Sequence, residues 1–242
     1  MKIVAHRGYS GKYPELSPIA VDKALELPIH GVEIDVRLTR DGHTVVHHDA
    51  TLDRTSTMRG AVSKMDWAEI KNAEIGGPEF PGQHPMLLDE VLERFQDPAH
   101  RDKHLFIETK HSALRGSEID EQVILRLRYA GLHEDPRMHI ISFNHSAMRT
   151  LRRLAPETDR FYLRREWERR LNPRDFLLSR PTGLGMSLLR AKLRPGDIGA
   201  KGLPTYLWTV NDADDIAWAA ERGVKIVATD EPEVALRALE ER

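Results

Sequence analysis

The stretch Gly31-Val32-Glu33-Ile34-Asp35-Val36-Arg37-Leu38 decides the fold class, because its apolar and charged residues alternate strictly. Successive side chains of a β-strand point to opposite faces, so the aliphatic residues share one face and the charged residues share the other. In a barrel strand the aliphatic face would meet surrounding helices, and Glu33 and Asp35 would point into the barrel near its C-terminal mouth. The alternative is a half-exposed edge strand with its charges in solvent.

Strand-like runs alternate with amphipathic stretches along the whole chain. The predicted strands cover residues 2–5, 31–38, 104–109, 138–142, 159–163, 183–187, 205–210 and 225–229. The predicted helices cover residues 18–27, 87–95, 118–130, 146–154, 165–170, 212–221 and 232–239. Such alternation predicts an α/β protein with a parallel sheet and right-handed crossovers. At this length we expect a closed (β/α)8 TIM barrel, with an open doubly wound sheet as the alternative.

One segment interrupts the alternation. Asp41-Gly42 lies between two strand-like runs, which is typical of a hairpin turn, and the residues up to 85 are rich in Gly, Pro, Asp and Thr. We interpret residues 42–85 as a small insertion on the barrel rim after the second strand, where it would shape the active site. Residues 1–242 are therefore predicted to form a single barrel domain.

Composition and charge exclude several classes of function. Of the 242 residues, 40% are hydrophobic and 31% are charged, and 36 basic against 38 acidic residues give a formal net charge of −2. This balance argues against binding nucleic acid or a membrane surface through bulk charge. Cysteine is absent, which excludes disulfides and thiolate chemistry. The apolar run at residues 3–5 is too short for a signal peptide, so we expect a cytoplasmic protein with no stable membrane insertion. The oligomeric state stays open.

Carboxylates at the ends of predicted strands indicate a cation site. Unpaired carboxylates in a barrel interior are unfavourable, and a divalent cation would offset that cost for Glu33 and Asp35. Glu108 ends the strand at residues 104–109, and Lys110 follows on the same face. Taken alone, that pair is more simply interpreted as a surface ion pair. Oxygen ligands without thiolates favour one Mg²⁺ or Ca²⁺, or else Mn²⁺, over zinc.

Acid–base and anion-binding groups follow neighbouring strands. His6-Arg7-Gly8 ends the first strand, and His47-His48 ends the return strand of the hairpin. Imidazole can give or take a proton near neutral pH, and arginine can hold a phosphate. Together with the carboxylates, these residues favour phosphoryl transfer or phosphoester hydrolysis. Four other histidines are expected to be solvated: His30, His43, His84 and His145.

With these residues in place, the chain resembles the glycerophosphodiester phosphodiesterase family. The matching stretches occur in family order and cover nearly the whole chain. They are His6-Arg7-Gly8, Pro14-Glu15, Gly31 through Val36, Asp41-Gly42, His48 through Thr55, Ile107 through Lys110, Ser142-Phe143, Trp208 through Asn211 and Gly223 through Pro232. The family fold is a (β/α)8 barrel with an insertion after strand 2. In one departure from the family pattern, Leu16 stands where its members usually have asparagine.

The resemblance implies roles for individual residues. Glu33, Asp35 and Glu108 would match the metal ligands. His6 and His48 would match the acid–base pair.

The resemblance also implies the substrate. Arg7 and Lys110 would match groups that contact the phosphate, and Trp208 would line the alcohol side of the pocket, although core packing is an equal alternative for it. The implied reaction is metal-dependent hydrolysis of a glycerophosphodiester to an alcohol and glycerol 3-phosphate, in lipid and glycerol metabolism. Two alternatives remain, a lysophospholipase D-like enzyme for acylated substrates and a non-catalytic phosphodiester-binding barrel.

Overall fold

A computed structural model describes residues 1–112, 116–168, 170 and 172–240. Within these residues, eight parallel strands form a closed barrel, because the first strand pairs with both the second strand and the last. They are β1 (Lys2–His6), β2 (Gly31–Leu38), β4 (His104–Thr109), β5 (Met138–Ser142), β6 (Asp159–Arg164), β7 (Gly183–Ser187), β8 (Thr205–Trp208) and β9 (Ile226–Thr229). The short β3 (Thr44–Val46) pairs antiparallel with β2. The predicted TIM barrel is confirmed, and the doubly wound alternative is wrong.

Helices lie between the strands. They are α1 (Pro18–Leu25), α2 (Trp67–Ile70), α3 (Leu88–Gln96), α4 (Glu118–Tyr129), α5 (His145–Leu154), α6 (Pro173–Ser179), α7 (Leu188–Leu193), α8 (Ala213–Glu221) and α9 (Pro232–Glu240). No helix of the described residues is both long and apolar enough to cross a membrane.

The helix predicted at residues 165–170 is wrong. Residues 165–168 form a turn after β6, and positions 169 and 171 lie outside the described residues. The charges there alternate as on a helix face, but no apolar stripe accompanies them to pack against the barrel. The helix begins instead at Pro173, where the Asn172 side chain accepts a hydrogen bond from the Arg174 N–H. The sequence interpretation also missed α7, whose N-cap is Ser187.

The barrel has an outer and an inner core. The aliphatic face of β2, including Val32 and Ile34, is fully buried in the cluster that contains residues of α1 and α3. The inner cluster contains Phe106, Phe161 and Tyr206, whose rings lie 5.5 to 6.2 Å apart. The alternating pattern of the sequence therefore corresponds to the two sides of the barrel wall.

The segment at residues 42–85 follows β2 and pairs with the end of that strand through β3. It contains β3, a 3₁₀ turn at Val62–Lys64 and α2. A small core of its own consists of Val45, Leu52, Val62 and Ile70. This core lets an otherwise irregular segment hold the loop that follows β3, which carries His48.

Candidate active site

Three adjacent parallel strands place the predicted site residues at one end of the barrel. His6 is in register with Glu33 across β1 and β2, and Asp35 is in register with Glu108 across β2 and β4. Parallel strands in register bring their C-terminal ends to the same rim. The mouth of the barrel therefore collects groups that are far apart in the sequence.

Glu33, Asp35 and Glu108 form a buried carboxylate cluster. One oxygen from each lies within 4.8 Å of the others, and the three residues are 1%, 1% and 8% exposed. The alternative of a solvated edge strand is thus wrong. Burial and the neighbouring carboxylates raise the pKa of Glu33 well above its usual value, and burial raises that of Glu108 to about 7. Such a cluster of oxygens fits a hard divalent cation.

Two cations partly balance these charges. The Lys110 Nζ lies 2.9 Å from Asp35 Oδ1 and 2.5 Å from Glu108 Oε1, and the Arg7 Nε lies 3.4 Å from Asp35 Oδ2. Burial alone would raise the pKa of Asp35, but Lys110, His48 and Arg7 outweigh it and lower that pKa. Glu108 is buried and the Lys110 side chain is only 14% exposed, so the interpretation of the two as a surface ion pair is wrong.

The backbone after β1 also serves the cluster. Arg7 has a left-handed backbone with a φ of 58°, and its N–H donates a 3.0 Å hydrogen bond to Glu33 Oε2. At Gly8 the φ is 76°, and a Cβ would lie 2.7 Å from the backbone of Ala20. Leu16, at the position where the family usually has asparagine, is 3% exposed and packs in the outer core. Its N–H donates to the Arg7 carbonyl, so its backbone supports the turn.

His6 is held by Asp230 from the far end of the chain. The His6 Nδ1 lies 2.7 Å from Asp230 Oδ1, and its Nε2 lies 3.9 Å from Glu33 Oε2. Ser10 Oγ and Asn211 Nδ2 donate further hydrogen bonds to Asp230. Burial alone would raise the pKa of Asp230, but these hydrogen bonds lower it to about 2. The carboxylate therefore stays ionised and fixes the imidazole, with Nε2 facing the cluster.

His48 has a similar carboxylate partner. Its Nδ1 lies 2.7 Å from Asp49 Oδ1, and the Arg54 Nε donates to the other oxygen of Asp49. Arg54 also bonds to Glu15, which in turn pairs with Arg7. Burial lowers the pKa of His48, so its ring is neutral at neutral pH.

The two adjacent histidines separate, as strand alternation requires. The His47 ring is buried and bonds to the Thr51 carbonyl, away from the cluster.

The sequence interpretation assigned no role to several residues of this network. They are Glu15, Asp49, Arg54, Asn211 and Asp230. All lie in the stretches that carry the family resemblance, and Asp230 directly follows β9. The position immediately after a barrel strand, which singled out Arg7, would also have singled out Asp230.

Trp208 lies at the top of the inner core. It ends β8, and its ring centroid is 5.5 Å from that of Phe143 in an edge-to-face arrangement. The Arg165 guanidinium lies over the Phe143 ring, 5.3 Å from its centroid. A cavity of about 210 Å³ next to Phe143 is lined by that residue and by Glu108, Lys110 and Arg165. An aromatic and cationic wall thus adjoins the carboxylate cluster.

Comparisons with known proteins agree with this geometry. The sequence model of the glycerophosphoryl diester phosphodiesterase family matches residues 6–234. "Probable glycerophosphodiester phosphodiesterase 1" of Mycobacterium tuberculosis is 35% identical over 248 residues, covering 95% of this chain and 89% of that protein. A glycerophosphodiester phosphodiesterase of Caldanaerobacter subterraneus is 32% identical over 240 residues, covering 97% and 96%.

A solved structure extends the comparison to three dimensions. An Oleispira antarctica phosphodiesterase in complex with the product sn-glycerol-3-phosphate superposes with a TM-score of 0.88 and 26% identity, covering 99% of this chain and 97% of that one. The family model, the curated relatives and the solved structure all indicate the same family. The chain belongs to the glycerophosphoryl diester phosphodiesterase family.

Proposed function

We propose that this protein hydrolyses glycerophosphodiesters to an alcohol and glycerol 3-phosphate and requires a divalent cation. The observation that carries the proposal is the buried cluster of Glu33, Asp35 and Glu108 beside two carboxylate-held histidines. The product bound to the Oleispira antarctica relative supports the same substrate class. We also propose that the protein acts on small molecules in the cytoplasm rather than on nucleic acid.

The carboxylate cluster would hold one Mg²⁺, Ca²⁺ or Mn²⁺ ion. Its oxygen donors are hard ligands, and the part of the chain that the structure describes contains no cysteine thiolate to favour a softer ion. When bound, such an ion neutralises charge on the non-bridging phosphate oxygens.

The chain's own cations complete the anion site. Arg7 and Lys110 already lie beside Asp35, so a phosphate that enters the cluster would meet both of them. Their charges would stabilise the additional negative charge of the transition state.

Proton transfer falls to His6 and His48. Each is held at Nδ1 by a carboxylate, which leaves Nε2 as the nitrogen for exchange with substrate. One histidine would take the proton of the attacking oxygen and the other would protonate the leaving alkoxide. The attacking oxygen is that of water or of the substrate's glycerol hydroxyl, and the second case gives a cyclic phosphate first.

The test is product analysis with chelator-stripped protein. Glycerophosphocholine and glycerophosphoethanolamine are incubated with the protein before and after addition of Mg²⁺, Ca²⁺ or Mn²⁺. We expect glycerol 3-phosphate only after metal addition. We expect His6→Gln and His48→Gln each to lower kcat about 10²–10⁴-fold. His43→Gln, in the exposed hairpin turn, is the matched control. Absence of turnover with every metal would favour the non-catalytic barrel.

A second candidate is lysophospholipase D-like activity on acylated substrates. Trp167 is 74% exposed and follows β6, whose C-terminal end faces the mouth. Exposed apolar groups at a mouth could hold an acyl chain. Release of lysophosphatidate from lysophosphatidylcholine, reduced by Trp167→Ala while turnover of glycerophosphocholine stays unchanged, would support this candidate.

A further inference from the structure

Three histidines meet at the end of the barrel opposite the mouth. His30 immediately precedes β2, His104 begins β4, and His139 lies near the start of β5. One ring nitrogen from each lies within 4.8 Å of the others. The prediction that His30 is a solvated loop residue is therefore wrong, because the ring stacks on His104 with centroids 3.8 Å apart. His145 is likewise half-buried and stacks on Tyr162, whereas His43 and His84 are exposed as predicted.

We propose that His30, His104 and His139 form a second metal site, which binds a transition-metal ion such as Zn²⁺ or Cu²⁺. Three imidazole nitrogens are a common ligand set for these ions, which leave one or more positions to water. The His104 Nδ1 and the His139 Nε2 already lie 2.8 Å apart. Those two nitrogens need to separate by only a few tenths of an ångström to share an ion with bonds of about 2.0–2.1 Å.

A carboxylate lies beside the most buried of the three rings. The Asp159 Oδ2 lies 3.2 Å from the His139 Nδ1, at ion-pair distance but without hydrogen-bond geometry, and His139 is 5% exposed. A carboxylate on one nitrogen of a histidine directs the other nitrogen to the metal and increases its basicity. Here that other nitrogen is the Nε2 that faces His104. On the remaining side, the Phe106 ring stacks on His139 at 4.3 Å and limits its rotation.

His30 is the ring that would move on metal binding. Its plane is tilted by 29° from that of His104, so the lone pairs of the stacked rings do not yet converge on one point. The buried His30 Nε2 has no hydrogen-bond partner among the described residues. His30 also lies outside the strands and lines a cavity of about 460 Å³, which gives its ring room to turn and an ion a path of entry.

The groups around the cavity discriminate between classes of ion. Lys2 and Lys225 line the same cavity, and Lys2 disfavours positive charge on His30. Burial and the neighbouring rings lower the pKa of His30 to about 3 and that of His104 to about 4, so both rings are neutral, as metal ligands must be. Asp159 also lines the cavity and offsets one of these lysine charges, so selectivity rests on the neutral imidazoles, which bind hard ions weakly. Ions that bond strongly to neutral nitrogen are favoured over Mg²⁺ and Ca²⁺.

The two clusters are separated by the inner core. Along β4, Phe106 lies between His104 and Glu108, and its side chain is part of the inner core of the barrel. A metal in the histidine cluster is therefore independent of the carboxylate cluster and of the proposed function.

The test is titration of the chelator-stripped full chain with Cu²⁺, followed by electron paramagnetic resonance and calorimetry. We expect a site with hyperfine coupling to several nitrogens. His30→Gln, which alters a half-exposed loop residue, should weaken Cu²⁺ binding at least about 10-fold, and Asp159→Asn should weaken it about 10–100-fold. His133→Gln, a partly exposed histidine outside both clusters, is the matched control and should bind as the unmodified chain does.

A second comparison separates this site from the mouth. His48→Gln should bind Cu²⁺ at this site as tightly as the unmodified chain does, whereas His30→Gln should bind it more weakly and still retain metal-dependent phosphodiesterase turnover. Circular dichroism and thermal unfolding would establish that each variant is folded. If folded His30→Gln and Asp159→Asn bind Cu²⁺ with unchanged affinity and spectrum, the proposal is overturned, and the three rings serve only to pack the base of the barrel.

Discussion

Arg7 combines backbone and side-chain roles at the mouth of the barrel. Its left-handed conformation, which costs about 1–2 kcal/mol for an L-residue, turns its N–H toward Glu33. Its side chain extends toward Asp35 and Glu15. The hydrogen bond from the Leu16 N–H to the Arg7 carbonyl fixes the strained turn. Strain held in this way, at a site of converging charges, is typical of functional residues.

Asp230 is the residue that fixes the orientation of His6. Its ionised carboxylate binds the His6 Nδ1, so an amide in its place would let either tautomer of the imidazole form. We expect Asp230→Asn to lower kcat about 10²–10⁴-fold with little change in KM. Steady-state kinetics at saturating metal measures both values. Glu134→Gln is the matched control, because Glu134 lies beside the partly exposed His133. If kcat falls equally in Asp230→Asn and in Glu134→Gln, Asp230 does not position the His6 imidazole for catalysis.

Among the elements, β7 is shaped by the rings around it. Gly183 and Gly185 face the barrel interior, where a Cβ at Gly183 would overlap the Phe161 ring and one at Gly185 would lie 2.8 Å from the Trp208 ring. The aromatic layer therefore occupies the space that side chains of β7 would otherwise fill. Large rings on some strands and glycine on another give the interior its close packing.

This packing predicts the effect of one added methyl group. Gly185→Ala should lower the free energy of unfolding by about 1–3 kcal/mol, because Leu163 and Trp208 must shift to admit the Cβ. Chemical denaturation measures the change. Gly196→Ala is the control, since a Cβ there meets no atom of the described chain within 4 Å. A Gly185→Ala variant as stable as the control would mean that the interior is looser than the geometry indicates.

Features of the fold and site that depend on residues close in sequence can be predicted from the sequence, and those that depend on distant residues cannot. Strand alternation is local, so it predicted the barrel and the approach of Glu33, Asp35 and Glu108 at one rim. The pairing of His6 with Asp230 joins residues 224 positions apart, and only barrel closure brings them together. The histidine cluster depends on the register of β4 and β5. The helix predicted at residues 165–170 failed because charge alternation alone does not bury a helix face.

Across the whole molecule, the barrel interior is layered along its axis. The mouth holds carboxylates and their cations, the middle holds aromatic rings, and the base holds the histidine cluster. Buried carboxylates destabilise a folded protein unless they are neutralised by protons or by bound cations. The stability of the whole barrel should therefore depend on the state of its mouth.

The thermal stability of the chain should depend on both pH and bound metal, through the carboxylates at the mouth. Because the pKa values of Glu33 and Glu108 are raised, the folded chain keeps protons that the unfolded chain releases above its ordinary carboxyl pKa of 4.5. The raised pKa values therefore contribute to the free energy of unfolding. This contribution is fully present below pH 4.5 and is lost as pH rises through about 7. Metal binding needs the ionised carboxylates, so it should restore more stability at pH 8 than at pH 6.

Buried histidines with lowered pKa values, such as His48, act in the opposite direction below about pH 6.5, so the experiment needs an internal comparison. Glu108→Gln supplies it, because the amide resembles the protonated acid and cannot ionise. We expect the Tm of the chelator-stripped unmodified chain to fall more between pH 6 and pH 8 than that of Glu108→Gln. Adding Mn²⁺ at pH 8 should raise the Tm of the unmodified chain and leave that of Glu108→Gln nearly unchanged. If both proteins respond alike to pH and to Mn²⁺, then Glu108 neither titrates in this range nor ligates the ion, and a cation site would have to rest on Glu33 and Asp35 alone.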